Sequence, residues 1–252
     1  MRLALLALLT LTPYSPALAQ QKTKAAPAQT SPDKKEAAQA AKKPSQPQEP
    51  AKQNPISAET AIAGLKAWDD TLSTLSAEFT QEVNFTEAGL KQKVEGELKY
   101  SKPNFLRIEH FKPARQLVIS DKRDIWIYKP EDGQVIRTSW DSWRRAQGEN
   151  FSGILDFGNY APLVEKNRVE ISCQPPRCSL VSLVFTPKDS PRSYTLSLAL
   201  SATDYFPREA ELTVDKTVIR TVLSGVEKNK TISPELFKFS PPKGVQVLEF
   251  RN

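Results

Sequence analysis

From Ser76 onward the apolar residues of this chain recur at every second position, in one short segment after another. Ala77, Phe79, Gln81 and Val83 alternate with Ser76, Glu78, Thr80 and Glu82. Val94, Gly96, Leu98 and Tyr100 alternate with Glu95, Glu97 and Lys99. A period of two belongs to a strand with one buried face. The rhythm returns at residues 104–111, 116–120, 124–128, 134–138, 169–173, 179–185, 194–201, 209–214 and 217–224, making about eleven strands with short connections. A sheet of that size curls, and a curled sheet of about eight strands or more can enclose a ligand-sized interior.

The stretch 101–130, SKPNFLRIEHFKPARQLVISDKRDIWIYKP, departs from the simple pattern. Phe105 and Phe111 share one parity and Leu106 and Ile108 the other; Ile125 and Ile127 oppose Trp126 and Tyr128. An antiparallel sheet normally has one apolar and one wet face, so something must cover the second face here. Periodicity leaves two readings open. One face lines an interior while chain covers the other, or the barrel is a solid core with a few exposed aromatics.

Ahead of the strands, Ala61, Leu65, Trp68, Leu72 and Leu75 recur at steps of four and three, the stripe of one helix, with Ser57 as N-cap. Residues 139–166 break the strand rhythm with three glycines and one proline, and Phe151, Ile154, Leu155 and Phe157 form an apolar cluster there. A long irregular insertion of this kind is the usual material of a lid.

The first 19 residues carry Arg2, an apolar run from Leu3 to Leu11 and Ala17-Leu18-Ala19, the pattern of a secretory signal peptide. No Cys follows the expected cut to accept a lipid. Residues 20–55 hold six prolines, no glycine and no aromatic, too little apolar surface to order the segment, and read as an extended cationic tether. It could touch an anionic surface or serve as a solvated spacer. Of the net charge of +6, Arg2 carries one and the tether four, which leaves about +1 for residues 56–252. A near-neutral domain gives no support to nucleic-acid binding. The domains expected are therefore 1–19, 20–55 and 56–252, in a soluble protein exported to a bacterial periplasm.

Cys173 and Cys178, in CQPPRC, flank a Pro-Pro turn between two strands and are expected to staple a hairpin by a disulfide. His110 is the only histidine. No nucleophile elbow, phosphate loop or dinucleotide fingerprint is present, and Glu95 and Glu97 lie on a solvent-facing parity. No catalytic residue, metal or cofactor is expected, and the chain does not read as an enzyme.

The segments LSAEFTQEV, GELKYSKPNFLRIEH and LVISDKRDIWIYKP, with the closing FKFSPPKGVQV, resemble in sequence and order the periplasmic outer-membrane lipoprotein carriers, the LolA family. The resemblance implies a mainly β fold, an unclosed antiparallel β-barrel with an N-terminal helix and a helical lid. It also implies an apolar cavity for lipoprotein acyl chains. The cargo would arrive from an inner-membrane ABC-type release complex and leave to an outer-membrane lipoprotein acceptor, with the carrier itself a monomer. The candidate cavity set is Phe79, Val83, Leu98, Leu106, Ile108, Leu117, Ile119, Trp126 and Tyr128, of which strand parity admits only some. Phe151, Ile154, Leu155 and Phe157 are the candidate lid residues. Lys102 stands where the family has an arginine that latches barrel to lid, Lys122 where it has a turn glycine, and Leu106 where it often has an aromatic. The alternative is a lipid-binding or envelope-sensing module of the same fold that does not shuttle lipoproteins.

Overall fold

The computed structural model describes residues 55–121, 123–140, 142, 160–190 and 194–250. The signal peptide, the tether as far as residue 54 and the four candidate lid residues lie outside the described residues.

One helix and twelve strands carry most of the fold. Helix α1 spans Ala58–Thr71, and the strands are β1 (Thr74–Phe85), β2 (Leu90–Ser101), β3 (Phe105–Lys112), β4 (Gln116–Asp121), β5 (Asp124–Lys129), β6 (Gln134–Ser139), β7 (Asn167–Cys173), β8 (Leu180–Pro187), β9 (Thr195–Ser201), β10 (Pro207–Val214), β11 (Thr217–Lys228) and β12 (Gln246–Phe250). A short helix α2, Tyr160–Lys166, leads into β7, and a 3-10 turn forms at Pro234–Phe237. All eleven expected strands form. The strands make one sheet in the order β12-β6-β5-β4-β3-β2-β1-β11-β10-β9-β8-β7. Neighbours pair antiparallel, except that β12 runs parallel to β6. The first and last strands of that order are not joined, so the sheet is an unclosed barrel.

The pleat puts one apolar set on the inner face throughout. Leu75, Ala77 and Phe79 lie beside Tyr100, Leu98 and Gly96 in the β1–β2 register. Leu98 and Tyr100 lie beside Ile108 and Leu106. On the far half, Leu212, Leu196 and Phe185 stand in one row and Ala210, Leu198 and Leu183 in the next. These side chains belong to a single buried cluster that includes Ala61, Leu65 and Trp68 of α1. A β-bulge between Ser76 and Glu78 interrupts the β1–β11 register, with Gly225 at φ +58° on the opposing strand. Bulges sharpen local twist, and a positive φ costs glycine nothing, so this site suits a bend in the wall.

Helix α1 lies across that wall. Its N-cap Ser57 accepts a hydrogen bond from Thr60 N at 3.2 Å. Just before it, Ile56 N donates to Gln174 Oε1 at 2.6 Å, in the turn between β7 and β8. At its other end Lys102 Nζ, in the β2–β3 turn, donates to the carbonyl oxygens of Asp69 and Asp70 at 2.7 and 3.2 Å. A helix of 14 residues is about 21 Å long. In a flat sheet β2 and β7 would stand roughly 29 Å apart, so a helix pinned at both turns requires the sheet to curl. The helix ends at Thr71, and Leu75, the last residue of the expected stripe, belongs to β1. Trp68 packs on Tyr160 of α2 (centroids 5.6 Å) and on Phe206 (4.9 Å), which fixes both helices to the inner side.

Cys173 and Cys178 form the disulfide, with Cα atoms 5.9 Å apart, around the turn that holds Gln174.

Candidate functional site: an apolar inner wall and its latch

The register divides the nine candidate wall residues by parity. Phe79, Val83, Leu98, Leu106 and Ile108 share the inner face and are all buried. Leu117 pairs with Tyr128 and Ile119 with Trp126 on the opposite face, because Arg107 and Glu109, not Leu106 and Ile108, stand across from them. The inward residues of β4 are instead Gln116, Val118 and Ser120, and those of β5 are Ile125 and Ile127. Of the nine candidates, strand parity admits only Phe79, Val83, Leu98, Leu106 and Ile108 to the inner face, since one sheet face cannot be lined from both parities. In β4 composition is no guide to which parity faces inward. In QLVIS the more apolar parity, Leu117 and Ile119, is the outer one.

The C-terminal segment covers much of that outer face. Phe237 packs against Phe105 with ring centroids 5.4 Å apart. Phe239 lies 5.7 Å from Trp126 and 5.8 Å from Tyr128. Arg107 donates to the carbonyl of Leu236 at 3.3 Å. The Arg137 guanidinium lies over the Trp126 ring, 4.6 Å from its centroid. Arg137 also pairs with Asp124 and reaches Glu249 of β12 at 3.1 Å. The strap thus ends as an extra strand, which answers the question raised by the two-faced apolar segments. The outer face of β2 and β3 is, by contrast, a charged ladder. Glu95 pairs with Lys93 and Lys112 at 2.9 and 2.8 Å, and Glu97 with Lys99 at 2.7 Å. Lys112, then Lys93, hold the Glu95 carboxyl at about 2, below its ordinary range. Two ion-paired carboxylates on a solvated face are ill suited to acid–base work.

Lys102 occupies the latch position named from the sequence, and it grips α1. The last turn of α1 contains no basic residue of its own. The last carbonyls of a helix lack the backbone partners that interior ones have, and the C-terminal end of the helix dipole favours a cation. Lys102 supplies the charge from a neighbouring turn, and its backbone N also donates to Ser73 O at 2.9 Å. The neighbouring turn at Asp121 is closed by a side chain, with Asp121 Oδ1 accepting from Arg123 N and Asp124 N at 3.2 and 2.9 Å.

Two inward residues were not anticipated as part of the wall's chemistry. His110 and Gln116 are cross-strand partners on the inner face of β3 and β4. His110 is 5 % exposed and lies edge-on to Phe79, with centroids 5.6 Å apart. Burial lowers its pKa to about 4, so the ring is neutral at physiological pH. Gly96 sits between them and β1; a Cβ there would lie 2.2 Å from Glu109 O and 2.8 Å from the Phe79 ring. The alternation in QLVIS hides Gln116, because the more apolar parity there, Leu117 and Ile119, is the outer one. Among the described residues no group of three His, Cys, Asp or Glu side chains could hold a metal ion, and no helix is long and apolar enough to cross a membrane.

A largely apolar inner face, crossed by a latched helix and backed by a C-terminal strap, defines an unclosed-barrel fold with a covered wall. The family described as "Outer membrane lipoprotein carrier protein LolA" matches residues 70–240. Proteins named "Outer-membrane lipoprotein carrier protein" are similar over most of their length. The one from Nitrosospira multiformis is 30% identical, covering 75% of this chain and 88% of its own. The one from Xanthomonas oryzae pv. oryzae is 30% identical, with 76% and 91% covered. The one from Chromobacterium violaceum is 29% identical, with 75% and 87% covered. The chain belongs to the LolA family of outer-membrane lipoprotein carriers.

Proposed function

We propose that this protein is a periplasmic lipoprotein carrier that shields acyl chains against the inner wall of its open barrel. The observation that supports this most is the inner face itself, apolar through most of twelve strands and left on an unclosed sheet, in a chain of the lipoprotein carrier family. Each methylene kept from water contributes ~0.8 kcal/mol, so an acylated protein cannot cross an aqueous gap at a useful rate unshielded.

The wall is covered in this structure, with Leu98 and Leu65 fully buried. Acyl chains therefore enter by displacing what covers it, and the displaced contacts offset part of the gain. That offset keeps the cargo releasable. Phe79, Val83, Leu98, Leu106 and Ile108 form the lipid-binding wall, and Lys102 holds α1 until loading. Phe151, Ile154, Leu155 and Phe157 form the lid over it. The cargo is accepted from an inner-membrane ABC-type release complex and passed to an outer-membrane acceptor. No bond is made or broken, and the carrier is not an enzyme. The signal peptide at 1–19 directs the export, and the tether at 20–55 precedes the folded domain. The names of the relatives favour carriage over a non-shuttling sensor of the same fold.

Native mass spectrometry of the protein purified from its own periplasm tests this. Co-purified acylated lipoprotein is the expected result; a free lipid alone would point to the sensor reading. In a lipoprotein-release assay Ile154→Asp should lower loading while the melting temperature holds. Unchanged loading removes the insertion from the lid.

A further inference from the structure

Among the described residues, the amides of buried Asn167 and half-buried Gln81 are satisfied. Asn167 donates to Leu163 O at 2.8 Å and accepts from the Tyr194 hydroxyl at 2.8 Å. Gln81 donates to Thr221 Oγ1 at 3.1 Å. Gln116 differs. It is 9 % exposed, and its amide nitrogen Nε2 is buried with no hydrogen-bond partner. A buried donor left unmade is costly, and native proteins leave few of them. Its cross-strand neighbour His110 is a second polar side chain of this row, beside the Phe79 ring.

The position narrows what the donor could serve. His110 is near the end of β3, and Gln116 begins β4, so the pair stands beside the β3–β4 turn. The β2–β3 turn that carries Lys102 adjoins the other end of β3. Between the two ends the inner face holds Ile108, Leu106, Val118 and Ile127, all buried and apolar, with the buried hydroxyl of Ser120 across from Leu106. An acyl chain laid along this wall has one polar atom group near it, the carbonyl through which the chain is attached. That carbonyl is an acceptor and sits at one end of the chain.

We propose that Gln116, flanked by His110, forms a carbonyl-reading subsite at the β3–β4 end of the wall, where Gln116 Nε2 donates to the ester or amide carbonyl of a bound acyl chain. This rests on the carrier reading and names the polar contact that sets the chain's register. Each amide nitrogen carries two donors and no acceptor capacity, so a bare alkyl chain leaves the site unmade and an ether, a weaker acceptor than a carbonyl, serves it poorly. The subsite distinguishes acyl from alkyl ligands, which a purely apolar wall would bind alike.

The test compares two probes that differ only in the carbonyl, 1-monolauroylglycerol and 1-O-dodecylglycerol. Each displaces an apolar fluorescent dye from the purified full chain at neutral pH, below micellar concentrations. The wild-type protein should bind the ester about tenfold more tightly, the ratio that one hydrogen bond of ordinary net strength produces. Gln116→Met keeps the length and removes the donor. It should weaken the ester to the level of the ether and leave the ether unchanged. Equal binding of both probes by the wild type overturns the subsite without touching the carrier reading, and needs no variant to fold. Equal weakening of both probes by Gln116→Met also overturns it, since the residue would then only shape the wall or hold a water. Displacement by neither probe removes the subsite and the lipid-binding wall together.

Discussion

Lys102 Nζ lies 2.7 Å from the carbonyl oxygen of Asp69, in the last turn of the helix that crosses the barrel. The contact is a single charge on a helix end, with Asp70 O as second acceptor at 3.2 Å. Lys102→Ala should lower unfolding free energy by about 1 kcal/mol. It should also speed amide exchange in the final turn of α1 more than in β2. Lys102→Arg, which keeps the charge and adds donors, should retain the stability. Equal exchange rates in the alanine variant would show that the contact does not hold the helix.

The strap over the outer face makes a second prediction. Phe237 is buried on Phe105, and half-buried Phe239 bridges Trp126 and Tyr128. Phe237→Ala should cost about 3 kcal/mol and Phe239→Ala about 2 kcal/mol, in line with aromatic truncations in cores. Only the second should shift the emission of Trp126, the tryptophan it touches. Urea titration followed by fluorescence reads both.

Gly96 is needed for a different reason. Its missing side chain lets the Phe79 ring lie over the strand, and a Cβ would collide with the backbone oxygen of Glu109. Gly96→Ala should destabilise the fold by about 2 kcal/mol or more through overpacking. Gly133, where a Cβ would meet nothing within 4 Å but φ is +57°, should lose only about 1 kcal/mol on the same change. Thermal melts of the two variants check the order.

His110 predicts how stability varies with pH. Its folded pKa is lowered to about 4 by burial, from an ordinary value of 6.5, and Phe79, Gly96 and Gln116, its neighbours on the inner face, carry no charge. Between those values the unfolded chain binds a proton that the folded chain refuses. The group's contribution is therefore full above pH 6.5 and is lost as pH falls toward 4, on the order of 3 kcal/mol. His110→Leu should flatten the stability profile across that window. A profile as steep as the wild type's would assign the acid sensitivity to carboxylates.

The strand-by-strand alternation, the helix stripe from Ala61 to Trp68 and the Cys173–Cys178 staple were legible because each is local: side-chain period and turn chemistry are set within a few residues. The family motifs made the open barrel and Lys102 legible as well. β12 was not, because QVLEF is a short run that pairs in parallel with β6, more than a hundred residues earlier, and no nearby residue announces such a partner.

The sequence by itself determined where the chain extends, where it turns and that β3 to β5 must be covered on both sides. Only the tertiary structure decided which side is which. Leu117, Ile119, Trp126 and Tyr128 face the strap, while Gln116 and His110 face the interior. The reason is physical: alternation defines two faces but not their partners, and in β4 and β5 the partner of the outer face is a segment over a hundred residues away. Burial follows from what packs against a face, and that is fixed only when the whole sheet has curled and the C-terminal chain has closed over it.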